Sequence, residues 1–368
     1  MKVLGITAHR AEEIAEPMAQ MDAETFVLTI DPPAGLLAQV VETVRAVRTA
    51  MVEHDPDVVL LDAYETIGLV TVLLGLRYRT PVVCRLVGDR WREYSDEKIH
   101  RAKADRDYPA LGRYYLSMAI NRLLFRLADG FVVVSTELKS VVERRVGCPP
   151  ERVHVVHVPL DPATMDGTTQ EARRRLGIDE RRVVLTVTNL KYEGKLRGVR
   201  QILDGIRPLL EERDDVAYVV AGGGRYHEAL ERDIEDSVGD STAREHIYTP
   251  GFYDEIDDLY AAADVFAYVS YIDGYPNVIL EAQASANPVV ANAAHGIVEQ
   301  IEAGETGVFV NPERPEEIEA TVRALLDDDD RRDELGGAAR TAVAERNHPE
   351  VIGADLEAAL RSIRRHAR

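Results

Sequence analysis

Short β-branched runs alternate with longer amphipathic stretches along this chain of 368 residues. Such alternation is typical of βαβ units, in which helices connect the strands of a parallel sheet. The pattern pauses at about 161–182 and then resumes, which predicts an α/β protein of two Rossmann-like domains with a linker near 160–170. The predicted strands lie at 2–7, 58–61, 82–86, 131–134, 153–156, 183–187, 217–221, 246–248, 265–269, 288–291 and 307–310.

We place the first domain at 1–166 and the second at 167–349. A C-terminal helix at about 350–368 is expected to pack back on the first domain. The length suits two domains, and an apolar fraction of 45% can fill two cores.

The most informative motif is the nine-residue segment that runs from Asp273 to Glu281. Pro276 suits the first turn of a helix, which predicts Asp273 in the preceding loop and Glu281 about one turn inside the helix. Free N–H groups at a helix N-terminus attract phosphate, and carboxylates on either side can accept hydrogen bonds from sugar hydroxyls. The motif therefore favours a nucleotide-sugar site. The alternative is a buried helix with a chance acidic residue at each end.

Two of the chain's six lysines, Lys191 and Lys195, follow the predicted strand 183–187. Ligands bind at the carboxyl ends of strands in open α/β sheets, and a lysine in that loop suits a diphosphate. The alternative is a pair of exposed loop lysines. The glycine run 222–224 follows another strand and predicts either a close approach to a ligand or a plain tight turn.

The first domain offers further candidates at the ends of its predicted strands. Asp89 follows strand 82–86, and His9 and Arg10 follow the first strand. Each could contact a sugar or an acceptor hydroxyl. The alternative for Asp89 is the helix N-cap, which is the common use of such an aspartate.

The net charge is −20, yet residues 77–126 hold 12 basic and 6 acidic side chains. The helix predicted at 111–128 ends this basic segment, and it is either a core helix with a basic edge or a helix that lies on an anionic membrane. The acidic surface argues against nucleic acid as a partner. With 38 arginines and only 6 lysines, it also suggests solubility at high salt, as in a halophilic protein. Two cysteines, no signal peptide and no membrane-length apolar run predict a cytoplasmic protein.

The segment from Asp273 to Ala282 resembles the acidic-x7-Glu motif of retaining, family 4 (group 1) GT-B glycosyltransferases. The flanks at 260–265 and 287–291 are similar too, and the resemblance extends more weakly into the first half. It implies two Rossmann-like domains whose sheets face across a cleft. The family's donor is a nucleoside diphosphate sugar.

The resemblance also implies a role for each matching residue. Glu281 would hold the nucleotide ribose, Asp273 would meet the donor sugar, and Lys195 would neutralise the diphosphate. Asp89, in the first domain, is expected at the catalytic centre beside the sugar or the acceptor. The remaining expected donor-binding residues are Gly274, Tyr275, Pro276, Asn277, Asn189, Lys191, Gly223, Gly224 and Tyr253.

Three positions depart from the family pattern. The first motif acid is Asp273, one methylene shorter than the usual glutamate. Asn189 stands where an arginine is usual, with Lys191 as its substitute, and Val87 and Gly88 replace a His-Gly pair. These departures bear on the donor geometry more than on the fold.

The expected reaction transfers a hexosyl group, with retention, to the hydroxyl of a glycan or a lipid-linked sugar. No metal and no cofactor is expected, and contact with an anionic membrane would be peripheral, at the inner face of the cell membrane. Two alternatives stay open. One is a catalytically silent protein of the same fold that binds a nucleotide sugar or supports a partner, and the other is a UDP-sugar epimerase.

Overall fold

The computed structural model describes residues 1–8, 11–31, 35–178 and 182–367. His9 and Arg10, which the sequence suggested as hydroxyl-binding residues, lie outside the described residues. The chain divides into two compact units. The first comprises Met1–Pro159 together with Pro349–Arg368, and the second comprises Leu160–His348.

The first unit contains a parallel sheet of six strands within the described ranges. These are β1 (Lys2–Thr7), β2 (Glu24–Thr29), β3 (Val58–Asp62), β4 (Val82–Leu86), β5 (Gly130–Val133) and β6 (Val153–Val155), in the spatial order β2-β1-β3-β4-β5-β6. Almost every residue of β3 and β4 is buried, as expected where helices cover both faces of a parallel sheet.

Helices connect these parallel strands, since a hairpin turn cannot join them. They are α1 (Glu12–Ala19), α2 (Leu36–His54), α3 (Glu65–Tyr78), α4 (Arg90–Arg92), α5 (His100–Ala104), α6 (Tyr108–Leu127) and α7 (Thr136–Val146). The helix predicted at 111–128 is α6. It begins three residues earlier because the Asp107 carboxylate accepts a hydrogen bond from the Ala110 N–H at 3.0 Å and caps its first turn.

The second unit, in its described part, contains another parallel sheet of six strands. These are β7 (Arg182–Val187), β8 (Val216–Ala221), β9 (Ile247–Gly251), β10 (Val265–Tyr268), β11 (Val289–Ala291) and β12 (Val308–Phe309). Their order is β12-β11-β10-β7-β8-β9, so that β7 and β10 are neighbours at the centre of the sheet. The segments that follow these two strands therefore lie at the same edge.

The helices of the second unit are α8 (Thr169–Leu176), α9 (Glu193–Glu212), α10 (His227–Val238), α11 (Ile256–Ala262), α12 (Asn277–Ala284), α13 (Ile297–Gln300), α14 (Pro315–Asp327) and α15 (Asp329–Arg346). The acidic run 327–330 lies where α14 ends and α15 begins. The Asp328 carboxylate caps α15 by accepting from the Arg331 N–H at 2.9 Å. The run is thus the boundary between two helices.

The last helix, α16 (Pro349–His366), belongs to the first unit. Its buried residues Ile352, Leu356, Leu360 and Ile363 share a hydrophobic cluster with residues of β1, β3, β4 and β5. Gly130 in β5 permits this close packing, because a Cβ there would lie 2.5 Å from a methyl carbon of Ile363. The two parallel sheets with their helices confirm the predicted pair of Rossmann-like α/β domains.

Candidate functional site

The motif loop connects β10 to α12 at the carboxyl edge of the second sheet. Asp273 lies in this loop, and Glu281 lies in the second turn of α12, as the spacing predicted. The sequence predicted Pro276 in the first turn of the helix. In the structure it occupies the N-cap position, with an extended backbone (ψ 123°). Its carbonyl oxygen accepts from the Gln300 side chain at 3.0 Å, which fixes the entry to the helix. The exposed Asn277 is therefore the first helical residue.

Lys195, Tyr268 and Asp273 form a connected cluster, here called the Lys195 cluster. The Lys195 Nζ donates to both the Tyr268 hydroxyl and Asp273 Oδ2. The Tyr268 hydroxyl in turn donates to the same Oδ2 at 2.6 Å. The Lys195 side chain is 5% exposed and that of Asp273 is 21% exposed. The cluster thus sets a largely buried cation beside a carboxylate that still reaches solvent.

The position of Lys195 corrects one expectation from the sequence. It was expected in the loop after strand 183–187, but it is the third residue of α9. Its side chain reaches past the end of β7 to Tyr268, the last residue of the neighbouring strand β10. The first turn of a helix holds a side chain more rigidly than a loop does, so the cation is well positioned.

The charges of the Lys195 cluster follow from their surroundings. Burial alone would raise the pKa of Asp273, but the Lys195 ammonium and the surrounding hydrogen bonds hold it below its usual value. Burial and the Asp273 charge raise the pKa of Tyr268 well above its usual value. At neutral pH the cluster therefore contains an ionised aspartate and a neutral tyrosine that donates to it.

Glu281 has a buried partner of its own. The Tyr260 hydroxyl, on α11, donates to Glu281 Oε2 at 2.7 Å. Burial raises the pKa of Glu281 above its usual value of 4.5, although this hydrogen bond lowers it. The contact with Tyr260 also fixes the orientation of the carboxylate.

Sequence reasoning missed both tyrosines. Tyr260 precedes an alanine run and Tyr268 ends an apolar strand, and neither was given a role in the site. An OH group within an otherwise apolar run is the one signal available, because a buried tyrosine hydroxyl requires a partner.

The glycine turn after β8 packs against the backbone of the lysine loop. Gly222 has φ +129°, and a Cβ there would lie 1.8 Å from the Thr188 carbonyl oxygen. Gly224 has φ +149°, and a Cβ there would lie 2.5 Å from the carbonyl of Leu190, whose N–H donates to the Gly223 oxygen at 3.0 Å. Glycine is required here because two backbone segments touch. A Cβ at Gly223 would meet only ordinary contacts, the nearest at 3.8 Å.

The other expected donor-binding residues are placed as follows. Asn189 and Lys191 are exposed on the loop between β7 and α9. Tyr253, after β9, has a buried hydroxyl for which the described residues provide no hydrogen-bond partner. Tyr275 is 6% exposed, and its hydroxyl accepts from the Asn347 side chain at 3.2 Å, so its ring is part of the core.

Gly274 is held from behind by the loop before α13. A Cβ on Gly296 would lie 1.8 Å from the Gly274 carbonyl oxygen, so these two backbones are in contact. This contact supports the motif loop just after Asp273. The resulting geometry depends on a glycine 22 residues further along the chain, which spacing within the motif does not reveal.

Asp89 lies in the first unit, directly before α4. Its Oδ1 accepts from the N–H groups of Trp91 and Arg92, each at 3.0 Å. The carboxylate is thus an N-cap, which is the alternative that the sequence left open.

Comparison with known proteins places these features in a family. Residues 3–159 match the model of the glycosyl transferase 4-like domain, and residues 181–328 match the model described as glycosyl transferases group 1. An alpha-D-kanosaminyltransferase of Streptomyces kanamyceticus is 27% identical over 65% of this chain and 61% of its own length. A D-inositol 3-phosphate glycosyltransferase of Corynebacterium aurimucosum is 32% identical over 58% of this chain and 52% of its own length.

Similarity to solved structures extends over nearly the whole chain. Anabaena Alr3699/HepE in complex with UDP has a TM-score of 0.74 at 19% identity, with 98% of this chain and 100% of that chain covered. A further structure of that protein is a complex with UDP-glucose. At this level of identity the similarity establishes the fold.

The two parallel α/β units and the site at a sheet edge define the GT-B class of proteins. Within it, the chain belongs to the group 1, family 4-like glycosyltransferases. It spans 61% and 52% of the length of the two relatives above. None of the helices in the described ranges combines the length and low polarity that a membrane span requires.

Proposed function

We propose that this chain transfers a hexosyl group, with retention, from a UDP-sugar to a hydroxyl acceptor. The observation that carries the proposal is the convergence of the Lys195 cluster and Glu281 at the carboxyl ends of two neighbouring strands. Lys195 follows β7, whereas Asp273 and Glu281 follow β10. This edge of an open α/β sheet is where such proteins bind nucleotides.

Each charged group has a role that its surroundings support. Lys195 stabilises the charge that develops on the leaving diphosphate, and the free N–H groups at the start of α12 assist it. Glu281, oriented by Tyr260, accepts hydrogen bonds from the ribose hydroxyls. Both Lys195 and Tyr268 contact Oδ2 of Asp273. We therefore assign its Oδ1 to a hydroxyl of the donor sugar.

Retention in this proposal needs no nucleophile from the protein. The bond from the anomeric carbon to the diphosphate breaks while the acceptor oxygen bonds to the same face of that carbon. A diphosphate oxygen takes the acceptor proton as its negative charge develops. Uridine is the base we propose, because the structurally similar Anabaena protein is described with UDP and with UDP-glucose.

We propose that the acceptor is a glycan or a lipid-linked sugar. The protein would reach it through peripheral contact with the inner face of the cell membrane. Support comes from α6, where Arg113, Arg122 and Arg126 are exposed. A cavity of about 470 Å³ beside this helix is partly lined by Trp91 and Phe125. The same cavity wall also contains Arg122 and Arg145, and its apolar side chains suit an acceptor with a hydrophobic part.

The first experiment is a thermal-shift screen of UDP-, GDP- and ADP-sugars, followed by turnover measurements with the donor that stabilises most. We expect UDP-sugars to stabilise, and Lys195→Ala and Glu281→Ala each to lower kcat/KM by about 100-fold or more. Glu345→Ala, an exposed glutamate on α15, is the matched control and should retain wild-type turnover. Near-native turnover in both site variants would refute the proposal, as would an epimerised sugar as the product.

A further inference from the structure

A polar pocket, distinct from the cavity beside α6, lies entirely within the first unit. Its volume is about 370 Å³, and it opens where β1, β3 and β4 end, with lining residues that include Ala8, Asp62 and Val87. Since ligands of open α/β sheets bind at this edge, the pocket is a candidate for the acceptor. Its ionisable side chains determine which acceptors it can take.

One arginine pairs with two of the carboxylates at this pocket. The Arg85 guanidinium lies 2.7 Å from Asp62 and 3.6 Å from Glu13. Arg85 is buried behind the pocket, whereas both carboxylates line it. This corner of the pocket therefore presents carboxylate oxygens.

Among the described lining residues, both cations are already engaged. Arg90 and Lys98 both pair with Glu93, at 2.6 Å and 2.9 Å. Each also lies over an aromatic ring: Arg90 is 3.8 Å from the ring centre of Tyr64, and Lys98 is 4.3 Å from that of Tyr94. A phosphate would have to compete with Glu93 and the ring faces for these cations.

Glu65 is the third carboxylate of the pocket, and the described residues place no cation in an ion pair with it. It begins α3 with φ +55°, a conformation that is costly for a residue with a side chain. Its N–H donates to Asn121 Oδ1 at 2.8 Å, and the Tyr94 hydroxyl donates to its carboxylate. These contacts hold an uncompensated carboxylate at the pocket wall.

We propose that this pocket binds the acceptor as a neutral, polyhydroxylated ring, such as a sugar or a cyclitol, and selects against a phosphorylated one. The proposal rests on the transferase function proposed above. Among the described residues, four carboxylates (Glu13, Asp62, Glu65 and Glu93) meet three cations (Arg85, Arg90 and Lys98), each of them already engaged, so hydroxyl donors are favoured over a phosphate. Glu65 accepts from acceptor hydroxyls, and the Asn121 amide fixes its position.

The test compares neutral and phosphorylated acceptors with the UDP-sugar that stabilises the protein most. Glucose and myo-inositol are paired with glucose 6-phosphate and inositol 1-phosphate, and kcat/KM is measured for each. We expect the neutral member of each pair to be used about tenfold better or more. Glu65→Gln should raise KM for neutral acceptors about tenfold and reduce the preference for neutral over phosphorylated acceptors. The KM for the UDP-sugar and the rate of its slow hydrolysis should stay unchanged.

Glu42→Gln, an exposed glutamate on α2, is the matched control and should behave as wild type. The thermal midpoint of each variant verifies that it is folded. Better or equal use of the phosphorylated acceptors, no use of either class, or an unchanged acceptor KM in Glu65→Gln would each overturn the proposal. If the acceptor proposal alone is wrong, the protein still binds and hydrolyses the UDP-sugar. If the wild type neither binds nor hydrolyses the UDP-sugar, the proposed transferase function is wrong as well.

Discussion

Tyr268 connects the two charged residues of the Lys195 cluster, since its hydroxyl accepts from one and donates to the other. We expect Tyr268→Phe to lower kcat/KM for the donor about tenfold and to destabilise the protein by about 1–2 kcal/mol, because buried polar groups lose a partner. Steady-state kinetics and thermal unfolding measure the two effects.

Tyr218→Phe provides the control for this substitution. Tyr218 is also fully buried in the second unit, and its hydroxyl lies 3.1 Å from Thr186 Oγ1. We expect it to alter stability with no change in the kinetics. Equal kinetic constants for Tyr268→Phe and wild type would show that the tyrosine is only a packing residue.

Glu281 predicts a pH dependence of donor binding. Burial raises the pKa of its carboxyl above the usual 4.5, so the ionised fraction begins to fall at a higher pH than for an exposed glutamate. Only the ionised form accepts hydrogen bonds through both oxygens. UDP affinity should therefore be full at neutral pH and weaken on acidification, starting at a higher pH than an exposed glutamate would require. Calorimetric titration at several pH values measures it, and Glu281→Gln should bind weakly at every pH.

The sequence was sufficient to locate Asp273 and Glu281, because both lie in one local motif whose turn and helix follow from short-range rules. The partners of these residues could not be predicted in the same way. Tyr260 lies 21 residues before Glu281, and Lys195 lies 78 residues before Asp273. Such pairs are brought together by the order of the strands, which hydrophobic periodicity does not specify.

At the scale of elements, the loop before α13 supports the motif loop through two glycines. We expect Gly296→Ala to destabilise the protein by about 1–3 kcal/mol and to weaken UDP binding, because its methyl group would displace the Gly274 carbonyl. Gly337→Ala, at an open position on α15, should instead leave binding unchanged and raise stability slightly. Thermal unfolding and UDP titration of both variants test this contrast. Unaltered UDP affinity in Gly296→Ala would contradict it.

The strands whose residues are buried were predicted from the sequence. Buried strands such as β3 and β4 consist mostly of Val and Leu, with Arg85 the one charged residue of β4. The strand β2 was not predicted. It lies at the sheet edge, where none of its residues is fully buried, and its apolar run Phe26-Val27-Leu28 is only three residues long between polar neighbours.

At the scale of the whole molecule, one surface is basic although the chain as a whole is acidic. The chain carries a net charge of −20, yet the exposed face of α6 presents three arginines among apolar side chains. Helix α3 packs against both α2 and α6, so their outer surfaces adjoin. Exposed apolar residues on these helices include Leu37, Val41, Leu73, Leu76, Tyr115, Leu116 and Leu123. Apolar side chains with arginines between them suit the interface of an anionic bilayer.

Peripheral membrane contact can be tested directly on this surface. We expect the protein to sediment with vesicles that contain phosphatidylserine, less with phosphatidylcholine alone, and progressively less as salt screens the arginines. Each arginine near such a surface contributes about 1 kcal/mol, so Arg122→Gln with Arg126→Gln should weaken binding roughly thirtyfold. Arg207→Gln with Arg232→Gln removes two exposed arginines from the second unit and should leave binding unchanged. Equal losses in the two double variants would indicate attraction by overall charge, and salt-insensitive binding would exclude the arginines as its source.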